Sequence, residues 1–155
     1  MRIEPTDPES DAARALIAMS DTYMTALYPA ESNHLESAQA LKAPNVLFLG
    51  CFLDDRLVGC GAVKILADDG EYGELKRVFV LESHRGKGYS KAIMERLEGH
   101  LKKKGIALAR LETGIRQPEA LGLYRRLGYV ERKPFGAYAE DPLSLFMEKR
   151  LEVAR

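Results

Sequence analysis

The sequence predicts an α/β fold built on a mixed β-sheet, and three patterns predict it. Residues 75–81 alternate and are rich in β-branched and aromatic side chains, which marks a strand, and a glycine-rich turn then leads into a helix. Tyr89, Ile93, Leu97 and Leu101 recur at a spacing of four and give that helix one apolar face, with Lys91, Glu95, Glu98 and Lys102 falling elsewhere. Before this unit, the runs 46–53 and 57–66 flank the turn Asp54-Asp55 and read as a hairpin; after it, strand and helix patterns alternate to the end.

In order, residues 1–4 form a short edge strand ended by Pro5. Asp7-Pro8 starts a helix, with Asp as cap and Pro in the first turn, and Ala12, Ala15, Leu16, Met19 and Tyr23 form its buried stripe. It fades near Tyr28-Pro29, and residues 35–41 read as a short second helix before Pro44. The hairpin follows. Asp68-Asp69-Gly70 turns the chain into the central strand, and Lys102, Lys103, Lys104 and Gly105 suit the C-terminus of the central helix. Residues 107–112 form a strand broken by Thr113-Gly114. Gln117-Pro118 opens a helix with Ala120, Leu123, Tyr124 and Leu127 on one stripe, stopped by Gly128. Residues 129–132 are extended, 134–142 form a loop, and 143–151 are the last strand.

The 155 residues fit one domain, 1–155, without repeats or linkers. Lys plus Arg and Asp plus Glu are both 23, so the formal net charge is zero, which argues against a nucleic-acid or membrane-surface protein. No apolar run reaches transmembrane length and residues 1–20 lack a signal-peptide core, so a cytoplasmic protein is expected. Cys51 and Cys60 fit no metal spacing. They face each other across the hairpin, where a bridge is conceivable, but two free, buried thiols are the expectation.

A strand, a glycine turn and a helix N-terminus make an anion site, because the first helical N–H groups have no partner within the helix. Arg85 and Lys87 add positive charge there, so a phosphate or pyrophosphate is the natural ligand; the alternative is a solvated basic turn. Gly86 and Gly88 lack the spacing of a P-loop. Gly86-Lys87-Gly88 also lacks the third glycine of a dinucleotide fingerprint.

Arg85-Gly86-Lys87-Gly88-Tyr89-Ser90 resembles the Gln/Arg-x-x-Gly-x-Gly/Ala pyrophosphate loop of the GNAT superfamily of acetyl-CoA-dependent N-acetyltransferases, with Ser90 in place of the final Gly or Ala. Leu123-Tyr124-Arg125-Arg126-Leu127-Gly128-Tyr129 is similar to that superfamily's Leu-Tyr-x-x-x-Gly-Phe/Tyr signature. The resemblance covers nearly the whole chain and is nearest to bacterial GNAT proteins of unassigned substrate. It implies a mixed sheet with helices on both faces, and a central strand that splays from the next one to admit the pantetheine arm.

The resemblance also implies roles. Acetyl-CoA is the co-substrate and no metal is needed. Tyr124 protonates the departing thiolate, where the alternative is a core tyrosine. Glu74, eleven positions before Arg85, is the general base; a solvent-facing carboxylate is the alternative, and Glu71 and Glu112 are rivals. Val78, Phe79 and Val80 pair with pantetheine through their backbone. Arg85, Gly86, Lys87, Gly88, Tyr89 and Ser90 hold the pyrophosphate. Gln117 stands where the family usually carries Asn. Acceptor residues come from the first helices and the late loop: Tyr28, His34, Arg77, Phe135 and Tyr138, with Tyr23, Glu31 and Asn33 nearby. Arg77 could instead pair with Glu112, His34 could cap a turn, and the loop aromatics could simply cover the sheet. A pocket with Arg and His would suit a small amine carrying a carboxylate.

The function these features imply is transfer of acetyl from acetyl-CoA to a primary amine of a small molecule, by direct attack in a ternary complex. A protein amine as acceptor is one alternative; a non-catalytic acyl-CoA-binding or sensing domain is another, since a fold does not settle activity. The sequence leaves open whether the chain forms a homodimer.

Overall fold

The computed structural model describes residues 1–153. Its seven strands form one sheet in the order β1-β2-β3-β4-β5-β7-β6. The strands are β1 (Arg2–Pro5), β2 (Val46–Leu53), β3 (Arg56–Leu66), β4 (Tyr72–Val80), β5 (Leu108–Gly114), β6 (Val130–Arg132) and β7 (Ser144–Arg150). Only the β4–β5 pair is parallel, so the sheet is mixed. Three helices accompany it: α1 (Asp11–Leu27), α2 (Tyr89–Lys103) and α3 (Pro118–Arg126).

α1 and α2 lie on opposite faces. The successive residues Phe79 and Val80 show this: Phe79 meets the Tyr23 ring of α1 at 6.3 Å, whereas Val80 and Ile93 of α2 crowd the same side of Gly59. The glycines on that side let α2 sit close. A Cβ at Gly73 would overlap Leu101, and one at Gly61 would press on Ile93 and Leu97. Ile93, Met94, Leu97 and Leu101 are fully buried there.

Several expectations shift. α1 is capped by Ser10, whose side chain accepts from the Ala13 N–H, while Asp7 caps only the turn before it. Its buried face is Ala13, Leu16, Ile17 and Ser20, so the stripe assigned to Ala12, Ala15 and Met19 is one residue out of phase, and Met19 is 51% exposed. No α-helix covers 35–41; two single 3₁₀ turns, Ala30–Ser32 and Ala40–Lys42, flank an open loop there. Thr113 and Gly114 continue β5 instead of breaking it. In α3 only Leu121 is buried, while Leu123 and Tyr124 are partly exposed because that flank borders a cleft; Leu127, the C-cap, packs partly buried against the core. Glu98 turns inward. Its carboxylate accepts from Tyr129 Oη at 2.7 Å and Lys149 Nζ at 2.8 Å, fastening α2 to β7. Both cysteines are free and buried.

Candidate active site

The site starts with the way β4 and β5 part. Their ladder runs from Gly73↔Ala109 through Glu74↔Arg110 to Leu75↔Leu111 and stops, although both strands continue. Beyond it, β5 pairs only with β7, and Phe79 and Val80 pair only with β3. The backbone edge of Val78–Val80 therefore faces a gap able to take an extended ligand as an added strand.

A bulge sets the direction of the parting strand. Cys60 pairs with Phe79 but Ala62 pairs with Lys76, so Arg77 and Val78 together oppose Gly61. Arg77 has φ 57°, a left-handed value that a non-glycine adopts only when its surroundings hold it. They do: its guanidinium donates twice to the Glu36 carbonyl, at 2.6 and 3.0 Å, and pairs with Asp21 at 2.6 Å. Arg77 therefore ties α1 and the 33–39 loop to the sheet. It borders a small cavity beside Glu74, but its charge is already used, and not by Glu112.

Two cavities meet at the gap. The larger is a cleft of about 840 Å³ lined by Val78, Phe79, Val80, Arg85, Gly86, Gly88, Tyr89 and Ser90, with the α3 side from Gln117 to Arg126 opposite. At its head Gly86 (φ 76°) and Gly88 (φ 83°) are left-handed, and Gly88 is the N-cap of α2 without any side-chain cap bond. The first-turn N–H groups of a fifteen-residue helix thus face the cleft uncapped, an arrangement fit for a phosphate group. Arg85 is held in place: Nε donates to the Val80 carbonyl at 3.0 Å, and the guanidinium lies over Tyr23 and Phe79. Lys87 is exposed and stands outside the lining.

The smaller cavity, about 90 Å³, is lined by His34, Glu74, Lys76, Glu112, Thr113 and Tyr138 among others. Val78, Gln117 and Tyr124 line both cavities and mark the junction. Burial, with the Glu112 charge added, pushes the Tyr124 phenol up to about 12, so it carries its proton at neutral pH.

Glu74 is 5% exposed, and its Oε2 accepts from Tyr138 Oη and from Lys76 Nζ at 3.1 Å. Lys76 also donates to Tyr138 Oη at 3.1 Å and pairs with Glu36 at 3.4 Å. Burial first, and then the Glu74 charge, push the Tyr138 phenol well up. Glu112 holds Ser144 Oγ at 2.8 Å through Oε2, and burial raises its pKa. The His34 and Tyr138 rings meet edge-on at 5.0 Å.

Two expected acceptor residues are structural. Tyr28 is 4% exposed; its hydroxyl accepts from the Arg116 N–H at 3.0 Å and donates to Gln117 Oε1 at 3.2 Å, and a Cβ at Gly114 would overlap its ring. Phe135 is 3% exposed in a box of Tyr72, Phe146 and Tyr138 that pins the late loop. Reasoning from sequence missed Lys76, whose place beside Glu74 on one strand face was a legible signal. It also missed Glu36, which only the tertiary fold brings in.

Residues 13–129 match the family model described as Acetyltransferase (GNAT) family. The IAA acetyltransferase of Azospirillum brasilense is 45% identical over 144 residues, 93% of this chain and 94% of that protein. A solved structure from Klebsiella pneumoniae, named as an acyl-CoA N-acyltransferase, superposes with a TM-score of 0.83 at 33% identity and covers 97% of each chain. The PaiA N-acetyltransferase of Thermoplasma acidophilum, solved in complex with coenzyme A, shares the fold with a TM-score of 0.74 at 23% identity, covering 97% of this chain and 99% of that one. With the split sheet, the uncapped glycine turn and the tyrosine between two cavities, these matches carry one conclusion: the chain belongs to the GNAT acetyltransferase family and is an acyl-CoA-dependent N-acetyltransferase.

Proposed function

We propose that the protein transfers acetyl from acetyl-CoA to the primary amine of a small molecule, by direct attack in a ternary complex. The observation that carries this reading is the junction of the two cavities at Val78, Gln117 and Tyr124. The pyrophosphate sits on the turn Arg85–Ser90 and the pantetheine runs along the edge of Val78–Val80 past Gln117. This brings the thioester to Tyr124, with the amine arriving from the smaller cavity. Tyr124 gives its proton to the departing sulfur. A carboxylate of the cavity floor, where Glu74 and Glu112 stand, receives a proton from the amine. No step requires a metal.

Several features support a small acceptor. The cavity holds only about 90 Å³, and Tyr138 of the late loop is bonded across it to Glu74. The relative at 45% identity is named for IAA, not for a protein. Direct transfer is supported by the cysteines: both are buried, neither lines either of these two cavities, and burial pushes Cys60 up to about 12, away from the reactive thiolate. A thiol-release assay with acetyl-CoA across a panel of small amines tests the proposal. Amine-dependent release with intersecting initial-velocity lines is expected. Acetyl-CoA binding without release for any amine would refute it and favour an acyl-CoA sensor.

A further inference from the structure

We propose that Glu112, not Glu74, takes the proton from the acceptor's ammonium. This rests on the reading that acetyl transfer occurs at the junction of the two cavities.

The two carboxylates share a sheet face but differ in place and company. Glu74 lies where β4 and β5 are still paired, opposite Arg110. Glu112 lies one residue past the last rung, Leu75↔Leu111, at the mouth of the split. Glu74 is committed: its Oε2 holds both the Lys76 ammonium and the Tyr138 hydroxyl, and the Lys76 side chain is only 10% exposed. Protonating it would break an ion pair between two largely buried side chains and leave Lys76 against Glu36 alone.

Charge pairing around the cavity singles out Glu112. Lys76 is matched by Glu74 and Glu36, and Arg77 by Asp21. Among the described residues Glu112 forms no ion pair; its one side-chain partner is the Ser144 hydroxyl on β7. The other groups around it are His34 of the 33–39 loop, Glu74 and Lys76 of β4, Tyr124 of α3, Tyr28 at the end of α1, and Tyr138 of the late loop. A partly buried carboxylate without a cation is a ready partner for an incoming ammonium, and burial makes its protonated form accessible.

The step balances. The acceptor's ammonium gives one proton to Glu112 and becomes a neutral amine. Its lone pair forms the C–N bond at the thioester carbon, and the C–S bond breaks. Tyr124 protonates the sulfur, and the nitrogen's next proton restores the phenol. Glu112 then releases its proton to solvent.

The test uses the wild-type enzyme with the amine that turns over fastest in the panel. Glu112→Gln, which keeps a partner for Ser144, should lower kcat by about 10²–10⁴-fold and abolish the acid limb of the kcat/KM profile, with acetyl-CoA affinity unchanged. Glu74→Gln breaks the pair with Lys76, so it should lower turnover by less than Glu112→Gln does and leave the acid limb in place. Ser144→Ala removes a hydrogen bond that favours charged Glu112, so the acid limb should move to higher pH. A folded Glu112→Gln with wild-type kcat and an intact acid limb would overturn the assignment, as would loss of the acid limb in Glu74→Gln instead. If Glu112→Gln does not fold, an unmoved limb in Ser144→Ala overturns it. Wild-type turnover with an unaffected Glu112→Gln would sink this assignment alone. Binding of acetyl-CoA by wild type without turnover of any amine would sink acetyl transfer and this assignment together.

Discussion

Replacing Gly88 by Glu puts a carboxylate where the account places the pyrophosphate. A Cβ at Gly88 meets nothing within 4 Å, so there is no clash. The cost to folding is the left-handed backbone at φ 83°, about 1–2 kcal/mol for a residue with a Cβ. Part of that is returned, since an anion at an uncapped helix N-terminus stabilises by about 0.3–1 kcal/mol. Binding suffers more. Two unit charges about 4 Å apart repel by about 1 kcal/mol in water and about 4 kcal/mol near a protein surface. The turn is exposed at the cleft's head, which favours the lower half of that range. A loss of roughly fivefold to sixtyfold in acetyl-CoA affinity follows, at about 1.4 kcal/mol per factor of ten. Calorimetric titration of Gly88→Glu beside Gly88→Ala checks it. The alanine variant carries the same backbone strain without the charge and should bind within a few-fold of wild type. A folded Gly88→Glu with wild-type affinity, or equal losses in both variants, would refute the charge argument.

Lys149→Met strips Glu98, 4% exposed, of its cation and leaves it only the Tyr129 hydroxyl, so unfolding should cost about 3 kcal/mol less, the low end for a broken buried pair because Lys149 is itself partly exposed. Thermal melts should then fall by about 6–12 °C, and a change under 2 °C would mean that Glu98 is not held as described. Burial raises both thiols, so a neutral-pH alkylating reagent should modify Cys51 and Cys60 only after unfolding, and incubation with acetyl-CoA should leave the intact mass unchanged. An acetylated cysteine would contradict direct transfer.

The sheet was legible because apolar runs of strand length are set off by polar turns; β2 begins and ends as that pattern indicates. The glycine turn and α2 were legible for the same local reasons. The face of α1 was not, because its N-terminal turns are rich in alanine and Ser10 and Asp7 both offer a cap, so only packing fixes the phase. The loop at 33–39 carries helix-forming residues, but the Arg77 guanidinium on the Glu36 carbonyl holds it open over the site, a contact between residues 41 apart in sequence. Arg77 looked available for substrate because no sequence pattern reveals that Asp21 and Glu36 consume it. Tyr28 and Phe135 looked like pocket aromatics and are packing residues, a distinction that depends on burial alone.

The central claim is that chemistry occurs at Tyr124, between the two cavities. Steady-state kinetics of Tyr124→Phe, read beside its melting curve, tests it most directly. The ring stays, so its edge contact with Tyr129 at 6.2 Å and the stability should persist. The hydroxyl that protonates the leaving sulfur is lost, and because a thiolate is a fair leaving group the fall in kcat should be moderate, roughly ten- to a thousand-fold. Acetyl-CoA should still bind. Wild-type turnover per folded molecule, with stability lowered instead, would show that Tyr124 is a packing residue and that the reacting sulfur lies elsewhere.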